Sequence, residues 1–129
     1  MTNILFAGLG GFVGAALRYA IGQLALRAPF ATAFVLGTVL VNVTGCFLIG
    51  FLGGLSVHRG GLSDATRALV VGGMLGGFTT FSTFGFETVE LCRTGERGLA
   101  VWNVGLHLVL GLGAVWLGDL VGRAVGRPA

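Results

Sequence analysis

The feature that most constrains this chain is the length of its four apolar stretches. They run from about Asn3 to Leu24, Ala31 to Leu55, Thr66 to Leu91 and Leu99 to Val121. A helix needs about 20 mostly apolar residues to cross the hydrocarbon core of a bilayer, and each stretch meets that requirement. Barrel strands would alternate apolar and polar residues over about ten positions, and these stretches do not. The sequence therefore predicts an all-α membrane protein with four transmembrane helices.

The composition agrees with a chain surrounded by lipid. Only 10% of the residues are charged, against about 25% in a typical soluble domain, and 54% are hydrophobic. The first stretch lacks a basic n-region and continues past the h-region of a signal peptide, so we interpret it as a spanning helix. Residues 1–129 leave no room for a second domain. We expect one multi-pass domain in the bacterial inner membrane, with membrane lipid as its main surroundings.

The arginines give almost no orientation signal. Four spans place both termini and the second loop on one side of the membrane, and the eight arginines then divide four against four. One side has Arg59, Arg67, Arg123 and Arg127, and the other has Arg18, Arg27, Arg93 and Arg97. Orientation normally follows an excess of Lys and Arg on the cytoplasmic side. The balance is compatible with dual topology, and hence an antiparallel homodimer, or with a fixed topology and a weak signal. The scattered arginines form no basic stripe, so no nucleic-acid partner is expected.

The third stretch is a poor continuous helix. Gly76 and Gly77 are followed by four hydroxyl residues within five positions, namely Thr79, Thr80, Ser82 and Thr83. Gly weakens a helix by about 1 kcal/mol relative to Ala, and Ser and Thr hydroxyls compete for backbone groups. We predict a break at mid-membrane near Gly77 to Thr80, with a plain kink as the alternative. Freed backbone groups at that depth must be buried in protein or line a cavity, and freed carbonyls can bind a cation.

The second stretch has a polar face. Thr38, Asn42 and Gly45 share one side of a helix by their spacing. Asn42 lies near mid-membrane and has two amide donors. One interpretation is a hydrogen bond between helices, worth about 0.6 to 2 kcal/mol. The other is a pore-lining amide that donates to a passing anion. The residues alone leave both interpretations open.

Other polar and aromatic side chains of the spans are candidates for an ion pathway, because polar groups inside a membrane are costly. Phe81 and Phe84 are three residues apart and therefore share one face of a helix. The positive edges of their rings attract anions weakly. Packing is nevertheless the commoner role of Phe. Asn103 and His107 form a stripe on the fourth stretch. Glu87 lies deep enough to need a partner or water.

Three motifs make the chain resemble the Fluc/CrcB fluoride channel family. They are Gly-Gly-x-x-Gly-Ala-x-x-Arg-Tyr at 10–19, Gly-Thr-x-x-Val-Asn-x-x-Gly-x-Phe-x-x-Gly at 37–50 and Gly-Gly-Phe-Thr-Thr-Phe-Ser-Thr-Phe at 76–84. The resemblance covers the whole chain. It implies a dual-topology antiparallel homodimer with two pores, each drawing on both subunits, and a structural sodium ion at the centre.

The resemblance also implies roles for individual residues. Asn42 corresponds to a pore-lining Asn, and Phe81 and Phe84 to the phenylalanines that face the fluoride path. Gly76 and Thr79 correspond to the positions whose backbone carbonyls hold the sodium ion. Two further residues have family counterparts, Arg18 on the first helix and Glu87 on the third.

The fourth stretch departs from the family. Members commonly have hydroxyl residues where this chain has Asn103 and His107, and Gly111 has no side chain to contribute. Because histidine changes charge near neutral pH, the presence of His107 predicts pH-dependent conduction.

For Arg18 on the first stretch, snorkelling or a structural pairing is favoured over a role at an anion vestibule.

We therefore predict a passive fluoride channel that exports cytoplasmic fluoride, and not an enzyme. Such a pore should offer several individually weak sites, so that the ion can both enter and leave. The candidate fluoride-binding residues are Asn42, Phe81, Phe84, Thr38, Thr80, Ser82, Thr83, Asn103, His107, Arg18 and Glu87. The alternative is a small four-helix, dual-topology multidrug exporter, which uses a membrane-embedded Glu in its first helix. The first stretch of this chain has no acidic residue.

Overall fold

The computed structural model describes residues 1–27 and 33–127, which form helices and short connections with no strand among them. We number the helices α1 (Thr2–Ala25), α2 (Ala33–Arg59), α3 (64–78), α4 (Phe81–Arg93) and α5 (Arg97–Gly126). Four described segments are long and apolar enough to cross a membrane, and the third, Asp64–Arg93, contains both α3 and α4. The prediction of four helices of spanning length is confirmed. The predicted start of the second stretch, Ala31, lies outside the described residues.

Glycines bring α2 and α5 into backbone contact. At four of them an added Cβ would overlap a carbonyl oxygen of the opposing helix, namely at Gly50, Gly54, Gly118 and Gly122. Lipid is as apolar as a leucine side chain, so spanning helices associate mainly through close packing, which small residues permit. This contact sets the position of α2, and α2 positions Thr38 and Asn42.

A second pair of glycines seats α1 on α3. A Cβ at Gly10 would overlap the carbonyl oxygen of Leu69, and one at Gly14 would overlap that of Met74. Gly10 and Gly14, four residues apart, therefore form a small-residue packing face on α1. This contact brings Arg18, one turn further along α1, to the end of α3.

The helix α3 is not uniform. It begins with an α-helical turn at Asp64–Thr66, continues as a π-helical stretch at Arg67–Leu75 and ends with a turn at Gly76–Phe78. Ser63 caps its start, as its position in the sequence indicates, because its Oγ accepts from the Thr66 amide at 3.2 Å. π-helical stretches are rare and occur often at functional sites. Nothing in the sequence predicted this one.

The backbone leaves the helical conformation between α3 and α4. Thr79 has φ −80° and ψ 157°, and Thr80 has φ −151° and ψ 111°. The chain returns to an α-helix at Phe81. These two extended residues, Thr79 and Thr80, form what we call the link, and the candidate site is built around it.

Candidate functional site

The link begins at Thr79, which bonds to the last turn of α3. Both the amide and the hydroxyl of Thr79 donate to the carbonyl oxygen of Leu75, at 3.0 Å each. The hydroxyl of a threonine competes well for such a carbonyl, which is one reason these residues end helices. The helix therefore stops with the side chain of Thr79 folded back on its own turn.

The link ends with the cap of α4. The hydroxyl oxygen of Thr80 accepts from the amide of Thr83 at 3.2 Å and lies 2.9 Å from the hydroxyl of Thr83 and 3.2 Å from that of Ser82. Threonine is a favoured N-cap because its oxygen satisfies one of the free amides at a helix start. The hydroxyl residues 80, 82 and 83 therefore form one small network at the start of α4.

Asn42 on α2 holds the backbone of the link. Its Oδ1 accepts from the amide of Thr80 at 2.7 Å, and its Nδ2 donates to the carbonyl oxygen of Thr80 at 3.1 Å. A carboxamide has one acceptor atom and two N–H donors, so this pair of bonds leaves one N–H of Asn42 for another partner. The link is therefore fixed by a side chain 38 positions earlier in the sequence.

Arg18 on α1 takes one of the carbonyls that the end of α3 exposes. Its Nε donates to the carbonyl oxygen of Gly77 at 3.1 Å. In an uninterrupted helix that oxygen would accept from the amide of Phe81. Arg18 therefore has a structural pairing in this structure. That is one of the two roles that its position near a helix end favoured.

Two carbonyls at or beside the link, those of Gly76 and Thr79, lose the donors that a continuous helix would provide. In a continuous helix the amide of Thr80 would donate to the oxygen of Gly76, but here it donates to Asn42. The amide of Thr83 would likewise donate to the oxygen of Thr79, but here it donates to the Thr80 hydroxyl. Side-chain clusters of three or more His, Cys, Asp or Glu are absent from the described residues. A cation held at this point would therefore depend on backbone oxygens.

Two cavities meet at the link, and Thr80 lines both. The larger cavity has a volume of about 410 Å³ and is lined by Asn42, Thr79, Phe81, Phe84 and His107, among others. The smaller one, of about 220 Å³, is lined by Arg18, Thr38, Thr83 and Glu87, among others. The polar face of α2 contributes to both cavities: Asn42 and Gly45 line the larger cavity, and Thr38 lines the smaller one.

Aromatic rings dominate one wall of the larger cavity. The ring centroids of Phe81 and Phe84 are 5.4 Å apart, with the planes tilted by 56°. The ring of Phe84 also contacts that of His107, at a centroid distance of 4.4 Å. None of the described residues that line this cavity is an Asp, Glu, Lys or Arg. An anion there would meet ring edges and neutral donors rather than a fixed charge.

His107 is oriented by its own helix. Its Nδ1 lies 2.9 Å from the carbonyl oxygen of Asn103, and because a carbonyl only accepts, Nδ1 carries the proton. The Nε2 atom is buried and has no hydrogen-bond partner in the part of the chain that the structure describes. In the neutral ring that nitrogen is an acceptor, and in the charged ring it is a donor.

Glu87 is the acidic group of the smaller cavity. It is 6% exposed, and its Oε1 accepts from the hydroxyl of Thr38 at 2.5 Å. Its Oε2 is buried and has no hydrogen-bond partner among residues 1–27 and 33–127. A buried carboxyl with one unpaired oxygen is unusual in a protein interior, which favours a role in the cavity that it lines.

Asn103 does not join the other candidates. It is 1% exposed, its Nδ2 donates to the hydroxyl of Thr88 at 3.0 Å, and it lines a separate pocket with Val35 and Trp102. The structure therefore divides the stripe predicted on the fourth stretch, because only His107 and Gly111 reach the larger cavity.

Sequence reasoning did not select Cys46 or Tyr19 as lining residues. Cys46 faces the larger cavity beside Gly111, and Tyr19 faces the smaller one. The spacing of Cys46 from Asn42, one helical turn, is the signal that would have placed it on the polar face of α2.

Comparison with known proteins identifies the family of this chain. The family model described as "CrcB-like protein, Camphor Resistance (CrcB)" matches residues 5–119. The chain belongs to this family. With four segments of spanning length, this CrcB-like protein is a multi-pass bacterial membrane protein.

Relatives of this CrcB-like chain are named "Fluoride-specific ion channel FluC". The protein from Methylobacillus flagellatus is 42% identical over 92% of this chain and 92% of its own length. The one from Acidobacterium capsulatum is 44% identical over 94% of this chain and 96% of its own length. The one from Shewanella amazonensis is 45% identical, covering 92% of this chain and 94% of itself.

Proposed function

We propose that this CrcB-like protein is a fluoride-selective ion channel that lets cytoplasmic fluoride leave the cell passively. The observation that carries the proposal is the wall of the larger cavity, which offers Asn42, Thr80 and two Phe rings and has no fixed charge among its described lining residues. Relatives that match nearly the whole chain are named as fluoride-specific channels. A small, strongly hydrated anion needs donors to replace water, and weak, successive sites let it leave again.

The proposed pathway runs from one cavity to the other past Thr80. Asn42, Thr80 and Thr83 supply amide and hydroxyl donors along it, and Phe81 and Phe84 supply ring edges. Ser82 lines neither cavity but lies 3.2 Å from the Thr80 hydroxyl, through which it would contribute. In the smaller cavity, Thr38, Glu87 and Arg18 form the polar end of the route. His107 replaces a hydroxyl of the family's fourth helix, and Asn103 supports the route from behind through Thr88.

We further propose that the link lies at mid-membrane and that two chains pair antiparallel, giving two pores. The near balance of arginines between the two sides is compatible with insertion in both orientations. Phe81 at the start of α4 is 83% exposed in the single chain, although it lines the larger cavity. A partner chain that covers Phe81 would complete the wall of the larger cavity.

A sodium ion at the centre of the dimer is the third part of the proposal. Its ligands in this chain are the carbonyl oxygens of Gly76 and Thr79, whose helical donors are both diverted. Unwound backbone and the carboxyl ends of half-helices are the groups that hold sodium in transporters with broken helices. The residues present therefore fit the ion. When bound, it supplies positive charge without a side chain.

Fluoride efflux from liposomes that contain the purified protein tests the channel. We expect rapid fluoride efflux, little chloride efflux, and a reversal potential that follows fluoride and ignores a proton gradient. A reversal potential that moves with the proton gradient would indicate an exporter coupled to protons.

Matched substitutions on α4 test the pathway. Phe84→Ile should cut fluoride flux because it removes a ring that lines the larger cavity, and Phe81→Ile should act in the same way. Phe86→Ile is the control, since Phe86 is 68% exposed and is not among the residues that line either cavity. Equal flux in all three variants would contradict the assignment of the phenylalanines, provided that the dimer stays intact.

A further inference from the structure

The hydrogen bonds of Asn42 have a consequence for Gly76. In a continuous helix the amide of Thr80 donates to the carbonyl oxygen four residues earlier, which belongs to Gly76. Here that amide donates to Oδ1 of Asn42 at 2.7 Å. The carbonyl of Thr80 is held at the same time by Nδ2 of Asn42 at 3.1 Å. Asn42 therefore fixes both backbone polar groups of Thr80 in an extended conformation.

We infer that Asn42 is a positioning residue for a monovalent cation, because it keeps the amide of Thr80 away from the carbonyl oxygen of Gly76. This inference rests on the sodium site of the proposed function and extends it. Without the side chain of Asn42, the Thr80 amide would lose its acceptor, and the oxygen of Gly76 is the acceptor that an ordinary helix provides for it. The link would then close by one turn, and the oxygen would be lost to the ion.

The carboxamide group suits this task. Thr80 presents one donor and one acceptor on neighbouring backbone atoms, and the amide end of Asn42 presents the complementary acceptor and donor in one plane. An aspartate retains an acceptor for the Thr80 amide but has no donor for the Thr80 carbonyl. Alanine retains neither. The three side chains therefore form a graded series for a test.

The two roles that the sequence left open for Asn42 are compatible. One N–H of Nδ2 is engaged by the carbonyl of Thr80, and Asn42 lines the larger cavity. The second N–H is available to an anion in that cavity. The same side chain therefore keeps the Thr80 amide away from the Gly76 oxygen and also lines the proposed fluoride path.

Sodium-dependent stability of the full-length protein in detergent gives a readout that is independent of transport. The Tm is measured against NaCl concentration at constant ionic strength, with choline chloride as the balancing salt. For the wild type we expect the Tm to rise and saturate with Na⁺. For Asn42→Ala we expect the half-saturating Na⁺ concentration to rise about 10–100-fold, as for other residues that support metal ligands from behind.

Asn103→Ala is the matched control. Asn103 is also an asparagine with a hydrogen bond to another helix, but it is buried, and its partner is the side chain of Thr88 and not the link. Its loss should lower the Tm at every Na⁺ concentration and leave the half-saturating concentration unchanged. This comparison separates a general loss of a buried amide from a loss of the cation ligand.

The outcomes separate the inference from the proposed function. A wild type that Na⁺ does not stabilise would remove the sodium site itself. A wild type and Asn42→Ala with the same half-saturating concentration would overturn the inference and leave the sodium site standing. If Asn42→Ala does not fold, Asn42→Asp replaces it. That variant retains the acceptor for Thr80, so a retained Na⁺ response supports the inference and a lost response overturns it.

Discussion

Replacing Gly54 on α2 by alanine tests the backbone contact that positions the polar face of α2. An added Cβ would lie 2.9 Å from the amide nitrogen of Arg123 and from the carbonyl carbon of Asp119, and closer still to the Asp119 oxygen. Ordinary van der Waals contact begins at 3.4 Å, so α2 and α5 must separate by at least about 0.5 Å. Such overpacking costs about 1–3 kcal/mol, and the better helix propensity of alanine returns up to about 1 kcal/mol.

We therefore expect Gly54→Ala to lower the free energy of unfolding by up to about 2 kcal/mol, the upper overpacking cost less the full propensity gain. Unfolding by SDS titration in mixed micelles measures it. The neighbouring Gly53→Ala is the control, because a Cβ there has no heavy atom within 4 Å among the described residues. It should unfold at or slightly above the wild-type midpoint. Equal midpoints for the two variants would show that α2 and α5 do not meet at Gly54.

Three further predictions concern single side chains. Thr80→Ala removes the N-cap of α4 and should lower the free energy of unfolding by about 0.5–2 kcal/mol; an unchanged denaturation midpoint would contradict the cap. Thr38→Val removes the hydroxyl that donates to Glu87, and since the carboxyl stays buried we expect a loss of about 1–3 kcal/mol, measured in the same way. His107 lines the larger cavity, and because histidine changes charge near neutral pH, fluoride flux should differ between about pH 5.5 and about pH 7.5, after subtraction of the leak in protein-free liposomes. His107→Ala with an undiminished pH response would remove that role.

The number and type of spanning segments were predictable because lipid imposes a length. A span needs about 20 apolar residues, and a stretch such as Leu99 to Val121 has no other common structural use. The ends were less certain: α5 extends to Arg97 and Gly126, beyond the apolar residues at both ends. Polar residues can continue a helix outside the hydrocarbon core because water satisfies their side chains there. Hydropathy therefore reports the width of the bilayer rather than the length of the helix.

The partners of the polar residues were not predictable, because they depend on distant parts of the chain. Local composition indicated an interruption near Gly77 to Thr80, and the extended residues of the structure are Thr79 and Thr80. The side chains that hold this segment come from 38 and 59 positions away, and no local pattern connects them to it. The stripe on the fourth stretch illustrates the same limit. Asn103 and His107 are one turn apart on one helix, yet the first lines a separate pocket and the second lines the larger cavity.

The interruption at the link is tolerated because side chains bond to several of the backbone groups there. Every buried backbone group needs a partner, so a broken helix must replace each bond that it loses. Thr79 satisfies Leu75, Arg18 satisfies Gly77, and Asn42 and the Thr80 hydroxyl satisfy the amides of Thr80 and Thr83. The side chains thus replace lost donors and acceptors at several points but divert the helical donors of the Gly76 and Thr79 carbonyls. Those two carbonyl oxygens are the ones that the proposed sodium site would use as ligands.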